Sequence, residues 1–380
     1  MLIPCGNSGV SVSRATFVAT TTTMYTPWLK PADPPAAELA PHAFGRHLRP
    51  RSRKIAVAII GLDAGIAEKT RAHLYRSSWD FGKLIVRDLG DTRKANADFL
   101  IPLLRELHTA KITPVLIGGN AGLFTAQYLA FAELNRQVSL LAVNRTIDLH
   151  PTDAAGEVLD AAVHRNDRQK FHLSHIGGQQ HLIDPALRDL FARRGYEATG
   201  LGQARADVPA LEPLVRDADL AGFHVDAINH AEAPARAGFH PSGFSLQEMT
   251  QLAYYAGNSD KLSSFGIYGL DPDAGETATE LTAAAYAQLI WYFVYGFSRR
   301  QGDFPVTTKG LLEYVVDIEG GKLTFWRSRQ SNRWWVQVPD GQYKGEARHR
   351  LVPCAYQDYV EASQNQTLGD RLLMAFRRYA

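Results

Sequence analysis

The sequence predicts an α/β protein in three layers: an eight-stranded, mostly parallel sheet between two layers of helices, followed by a small β-hairpin and helix subdomain. From Lys54 onward, short apolar, β-rich runs alternate with stretches of helical periodicity, the pattern of a parallel sheet covered on both faces. The runs are apolar nearly throughout, as strands buried on two sides are. After Phe304 and Pro305 the alternation stops, which marks the start of the appendage.

Taken in order, residues 1–50 read as a flexible leader. The first 23 are rich in Ser, Thr, Val and Ala and hold no compact apolar core ahead of a cleavage site, so a secretory signal is not expected. A disordered tail is expected instead, or a true start at Met24. Prolines at 27, 31, 34, 35, 41 and 50 suit an extended surface segment. The basic run Arg46, Arg49, Arg51, Arg53 and Lys54 has no interleaved aromatic platform and reads as a solvated flank.

The main domain, 51–305, carries eight candidate strands: Ile55–Ile60, Leu84–Asp88, Pro114–Ile117, Val138–Val143, Phe171–Ile176, Glu197–Gly200, Leu220–Val225 and Leu262–Leu270. Between the second and third, Phe99, Leu100, Leu103, Leu104 and Leu107 recur at three and four residues, one apolar helical stripe. Ser245-Leu246-Gln247-Glu248 is a capping box whose helix is expected to end near Gly257. The longest helix, from about Glu276 to Phe297, is apolar nearly all round, so burial against the sheet is expected. In the extension, 306–380, Leu311–Glu319 and Lys322–Ser328 flank Gly320-Gly321 as a hairpin. A third strand, Trp334–Val338, and a helical close from Tyr356 to Tyr379 follow.

Composition excludes several classes. The 380 residues are 45 % hydrophobic and 21 % charged, enough for one large core without staples. Lys and Arg number 41 against 39 Asp and Glu, so no global field points to nucleic acid or an anionic membrane. Only Cys5 and Cys354 are present, neither a disulfide framework nor a metal-knuckle spacing. A reducing cytoplasm is the expected location, and no apolar run approaches the roughly 18 residues of a membrane span.

The stretch Gly222–Ala235, GFHVDAINHAEAPA, is where chemistry is expected. It begins as a buried strand and then places His224 and Asp226 on one side. The carboxyl ends of parallel strands are where open α/β sheets keep their sites. The segment resembles the D-x-D strand of the ureohydrolases, the family of arginase, agmatinase and formimidoylglutamase, with Ala233-Pro234 in place of its A-P turn. SHIGGQQ at Ser174–Gln180 and SFGIY at Ser264–Tyr268 are similar to further family stretches. The resemblance covers most of residues 54–305 and is closest to a formimidoylglutamase-like branch with a Trp-Trp pair in its extension, here Trp334 and Trp335. It implies the three-layer arginase-like fold, ring-shaped homo-oligomers, and a pair of manganese ions that activate water against a guanidino or formimino carbon.

Two adjacent ions need anionic oxygen ligands to offset their repulsion, and here most of those positions have changed. The family's first histidine ligand falls on Ala121, after Gly118-Gly119-Asn120. Its D-A-H-x-D falls on Asn144, Arg145, Thr146, Ile147 and Asp148, and the first carboxylate of D-x-D on His224. A glutamate that helps to hold the substrate falls on Gly269. Asp148 and Asp226 keep their carboxylates. The resemblance therefore implies a pseudoenzyme that has lost the manganese pair and binds a small-molecule or protein partner. The alternative is a hydrolase of linear amidines using one manganese or zinc ion at Asp148, His224 and Asp226, a donor set that suits such ions. Asn120, Arg145, His175, Gln179 and Gly269 are candidates for lining whatever pocket replaces the metals.

Other features read more plainly. His172, His175 and His181 crowd one loop and are expected as pocket or surface groups. Gly118, Gly119 and Gly122 suit a strand-to-helix turn rather than a phosphate cradle. No G-x-S-x-G elbow or Cys-His arrangement supplies a covalent nucleophile. The Trp pair, near Arg327, Arg329 and Arg333, is expected to divide between the extension's core and its seam with the main domain, with arginines stacked outside.

Overall fold

The structure, a computed structural model, describes residues 26–50, 52, 54–132, 138–147, 171–319, 321–338 and 351–377. The main sheet has nine strands in the order β1-β3-β2-β4-β9-β8-β5-β6-β7. These are β1 (Leu29–Lys30), β2 (Val57–Gly61), β3 (Val86–Thr92), β4 (Thr113–Ile117), β5 (Val138–Val143), β6 (Phe171–Gly178), β7 (Glu197–Gly200), β8 (Leu220–His224) and β9 (Ser264–Tyr268). The eight strands expected from sequence are all present and pair in parallel. The ninth, β1, runs antiparallel to β3 with Leu29 opposite Thr92 and Lys30 opposite Asp91. It lies inside the stretch read as a leader. Two residues followed by Pro31 are too few to carry a period-two pattern, which is why sequence reading passed over it.

Side-chain alternation sorts the sheet's apolar residues onto two faces. On one, Val57, Ile59, Val115, Ile117, Phe223, Phe265 and Ile267 are buried under helices α2 (Ala64–Arg76), α8 (Leu246–Asn258) and α9 (Glu276–Ser298). On the other, Ala58, Ile60, Leu116, Leu140 and Tyr268 are buried under α3 (Ala97–Thr109), α4 (Leu123–Ala132) and α5 (Pro185–Arg194). Shorter helices α1 (Phe44–His47), α6 (Leu201–Ala206) and α7 (Glu212–Arg216) complete the domain. Among the described residues no helix is long and apolar enough to cross a membrane.

Helix α8 ends at Asn258, near Gly257 as expected, but that glycine is not the left-handed residue that often follows a helix. It sits inside the helix, where an added Cβ would lie 2.0 Å from the Phe293 carbonyl oxygen of α9. Gly296 makes the reciprocal approach, its Cβ position 2.2 Å from the Tyr254 carbonyl oxygen. The two glycines let the helix backbones touch.

The capping box of α8 forms as read: Ser245 accepts the Glu248 N–H, and Glu248 accepts the Ser245 N–H at 2.7 Å. Burial alone would raise the Glu248 carboxyl, but the Ser245 N–H and hydroxyl and the Arg205 guanidinium outweigh it and hold the group below the usual glutamate value. A depressed folded pKa contributes stability above the unfolded value, near 4.5, that disappears as pH falls through the folded value. Glu248→Gln removes this contribution. Its Tm is expected to fall less steeply than that of the wild type as pH drops below 4.5, and parallel curves in calorimetry would show that the ionised box adds nothing.

The extension is a four-stranded antiparallel sheet, β10 (Leu311–Ile318), β11 (Gly321–Ser328), β12 (Trp334–Gln337) and β13 (Leu351–Cys354), backed by α10 (Tyr356–Asn365) and α11 (Asp370–Arg377). Gly321 opens β11 opposite Ile318, rather than sitting in the turn, and Gly320 lies outside the described residues. The fourth strand was missed because Pro353 interrupts a run of only four residues. The Trp pair divides as expected. Trp334 packs in the extension's core, stacked on Tyr359 at 4.8 Å, while the buried Trp335 lies under the Arg216 guanidinium at 4.6 Å. The stacked arginine is thus Arg216 of the main domain, not one of the three beside the pair. It also donates to Glu212 and to the carbonyls of Trp334 and Cys354. Arg333 points back to Glu212, at 3.5 Å, and to Asp303, at 3.7 Å.

Candidate functional site

Four neighbouring strands, β4, β9, β8 and β5, bring their carboxyl ends together. After β4, Gly118 and Gly119 turn the chain in the left-handed region (φ 80° and 82°) and deliver Ala121 to the mouth of α4. A Cβ at Gly118 would come 2.6 Å from Ile66, so both backbone conformation and space demand glycine there. After β5 come Asn144, Arg145 and Thr146; after β8, a tight turn at Val225–Ala227; after β9, Gly269.

Residues that the family resemblance sets at ligand positions lie together in the fold. Ala121, Asn144, Thr146, His175 and His224 line one cavity with Phe124, Leu173 and Tyr268. Its volume is about 30 Å³, room for about two waters, and its wall is mainly apolar. The Phe124 ring fills the space over Gly222, where a Cβ would meet it at 2.8 Å. The Tyr268 hydroxyl is buried, and burial pushes its pKa well up. Asn144 accepts the Arg145 N–H at 2.7 Å, and His175 Nε2 donates to the Thr146 carbonyl at 2.8 Å. Those polar groups are spent on holding the β5 loop.

The remaining candidates lie around this cavity. Asn120 is exposed. Gln179 braces the loop after β6, donating its N–H to the Arg145 carbonyl and its amide to the Ser242 carbonyl. Arg145 turns away from the cavity and pairs with Asp226, Nη2 to Oδ2 2.8 Å. His224 Nδ1 accepts the Asp226 N–H at 3.1 Å and lies 3.7 Å from the same Oδ2. Its ring covers Gly269, where a Cβ would fall 2.2 Å from Nε2 and Cε1, and Gly269 has φ 92°. His224 and Gly269 thus interlock: the ring occupies the space in which any residue at 269 would begin its side chain. His172 is buried, with Ser174 Oγ 3.4 Å from it and 3.4 Å from Glu197, whereas His181 is exposed.

Sequence reading missed Arg236. Buried after β8, it donates to the carbonyls of Asp226, Ile228 and His240 and anchors the loop. Burial, aided by repulsion from Arg145, lowers its pKa against the pull of Asp226. Its signal was an arginine between Pro234-Ala235 and Ala237-Gly238, with no periodicity to mark it.

These donors do not fit a manganese pair. Asp226 is engaged by a guanidinium, whose positive charge opposes a cation at the same carboxylate. His224 Nδ1 is taken by a backbone N–H, and Nε2 lies against Gly269. Ala121 has nothing to coordinate with. Among the described residues no group of three or more His, Cys, Asp or Glu side chains is placed to hold a metal ion. Asp148 lies outside the described residues.

No family model matches the sequence, and no curated protein matches it. Solved structures do match. The formiminoglutamase of Trypanosoma cruzi determined with Mn2+ is 16 % identical, with TM-score 0.57 over 66 % of this chain and 97 % of that one. An arginase superfamily protein from the same organism gives 0.56 at 17 % identity, over 66 % and 96 %. Proclavaminate amidino hydrolase from Streptomyces clavuligerus gives 0.55 at 19 % identity, over 68 % and 97 %. The chain has the arginase-like fold. Nearly the whole of each neighbour is matched, by about two thirds of this chain.

Proposed function

We propose that this arginase-like domain is a non-catalytic relative of the manganese ureohydrolases, serving as a binding or scaffold protein for a small molecule or a protein partner. The observation that carries this reading is the pairing of Arg145 with Asp226. A fixed cation bonded to a surviving carboxylate supports loss of the ion pair more strongly than the missing ligands alone, because restoring ligands would not remove it. The small apolar cavity at Ala121 and Phe124 supports the same conclusion. Fold alone decides nothing here, since one fold hosts many functions.

The competing reading, a single manganese or zinc ion at Asp148, His224 and Asp226 that hydrolyses linear amidines, makes the opposite prediction. Protein purified without chelator, incubated with manganese or zinc and desalted, is expected to retain far less than one equivalent by elemental analysis. Near-stoichiometric metal that is lost in Asp226→Ala would overturn the non-catalytic reading.

A further inference from the structure

A second cavity, remote from β8 and β5, lies at the carboxyl end of β3 beneath the leader. Its volume is about 320 Å³, within the range of small-molecule pockets, about 300–1,000 Å³. Pro31, Pro34, Pro35, Ala36 and Leu39 form one wall, and Ala64, Ala72 and Tyr75 of α2 the other. The site is built. Its roof is pinned at one end by β1 and at the other by Arg46, which donates to the carbonyls of Leu39 and Ala37 at 2.9 and 3.0 Å. Gly90, at φ 89°, lets the leader sit directly on β3: a Cβ there would be 1.9 Å from the Lys30 carbonyl oxygen.

The floor holds an oriented carboxylate. Arg71 Nη1 donates to Asp91 Oδ1 at 2.7 Å, while Nε and Nη2 grip Asp88 and the Tyr75 hydroxyl donates to Asp88 as well. Gly61 makes the room, since a Cβ would lie 1.9 Å from Asp91 Oδ1. Arg71 is thus matched twice over. With Asp91, the exposed Asp33 and Glu68 give the lining three carboxylates against two arginines, Arg71 and Arg76, so the cavity carries an excess of one negative charge. Apolar walls with a convergent, oriented charge are the make-up of a ligand site.

We propose that this cavity binds a small organic monocation, an ammonium with a short apolar chain, its charge facing Glu68 and Asp33 and its chain lying against the prolines. The inference is independent of the reading of the β8 site. Titration calorimetry of the full chain with n-butylammonium chloride, and with sodium butyrate at equal ionic strength, tests it. Saturable binding of butylammonium and none of butyrate is expected. Ala72→Leu, at an exposed helical position where leucine is nearly as good a helix former as alanine, fills the cavity without removing a charge and is expected to abolish binding. Glu68→Gln, also exposed, is expected to weaken it about threefold. Both variants should keep the wild-type Tm without ligand. Failure of butylammonium to saturate, equal binding of butyrate, or undiminished binding in Ala72→Leu would each overturn the proposal. None of these outcomes bears on metal retention.

Discussion

Gly269→Ala, which adds a single carbon atom, is expected to be among the most destabilising substitutions in the chain. Two costs combine. Residue 269 has φ 92°, and forcing a side chain into such backbone costs about 1–3 kcal/mol. The new Cβ would also fall 2.2 Å from the His224 ring, which is held through Nδ1 by the Asp226 N–H. Overpacking of that kind costs about 1–3 kcal/mol more. Against a typical total stability of about 5–15 kcal/mol, the loss should be plain in urea denaturation. A double-mutant cycle separates the two costs. Adding His224→Ala removes the steric share, so the double variant should recover roughly half of the loss and no more. If Gly269→Ala alone is as stable as the wild type, the interlock is not a constraint.

Arg216→Ala should cost about 3–5 kcal/mol, the usual effect of removing one partner from a buried charged network. Arg216 is 5 % exposed. Its removal strands the carbonyls of Trp334 and Cys354, uncovers one face of Trp335 and leaves Glu212 with Arg333 alone. Arg216→Lys should recover less than half, since an ammonium cannot span both carbonyls while stacking on the indole. Because these bonds join the main domain to β12 and β13, the variant's extension should also become the first target of limited proteolysis. Wild-type stability and protease resistance in Arg216→Ala would mean that the seam is held elsewhere.

What was legible in the sequence follows from range. The eight parallel strands were visible because burial on both faces writes itself as a continuous apolar run, and the Ser245–Glu248 box because its partners are three residues apart. That Ala121, Asn144 and Thr146 belong to one region was legible because each follows a strand, and the structure gathers the three around one cavity. The dependence of Gly269 on His224 was not legible, because it joins the ends of two strands through space. Nor was the role of Arg216, whose partners lie 118 and 138 residues away. Gly257 was misread for a related reason: a glycine near a helix end has a local explanation, and the backbone of α9 that demands it is distant in sequence.

The leader carries two duties on one short segment. Without β1, strand β3 would be the margin of the main sheet, with its outer row of N–H and C=O groups open to any extended chain. The protection consists of two residues, Leu29 and Lys30, and the chain that continues from them is the roof over the cavity beside Asp91. A fluctuation of this segment would uncover both Asp91 and Thr92 of β3 and the cavity. A ligand held beneath that roof would lower the population of the open state by mass action, so filling the cavity would also guard the sheet against unwanted self-association.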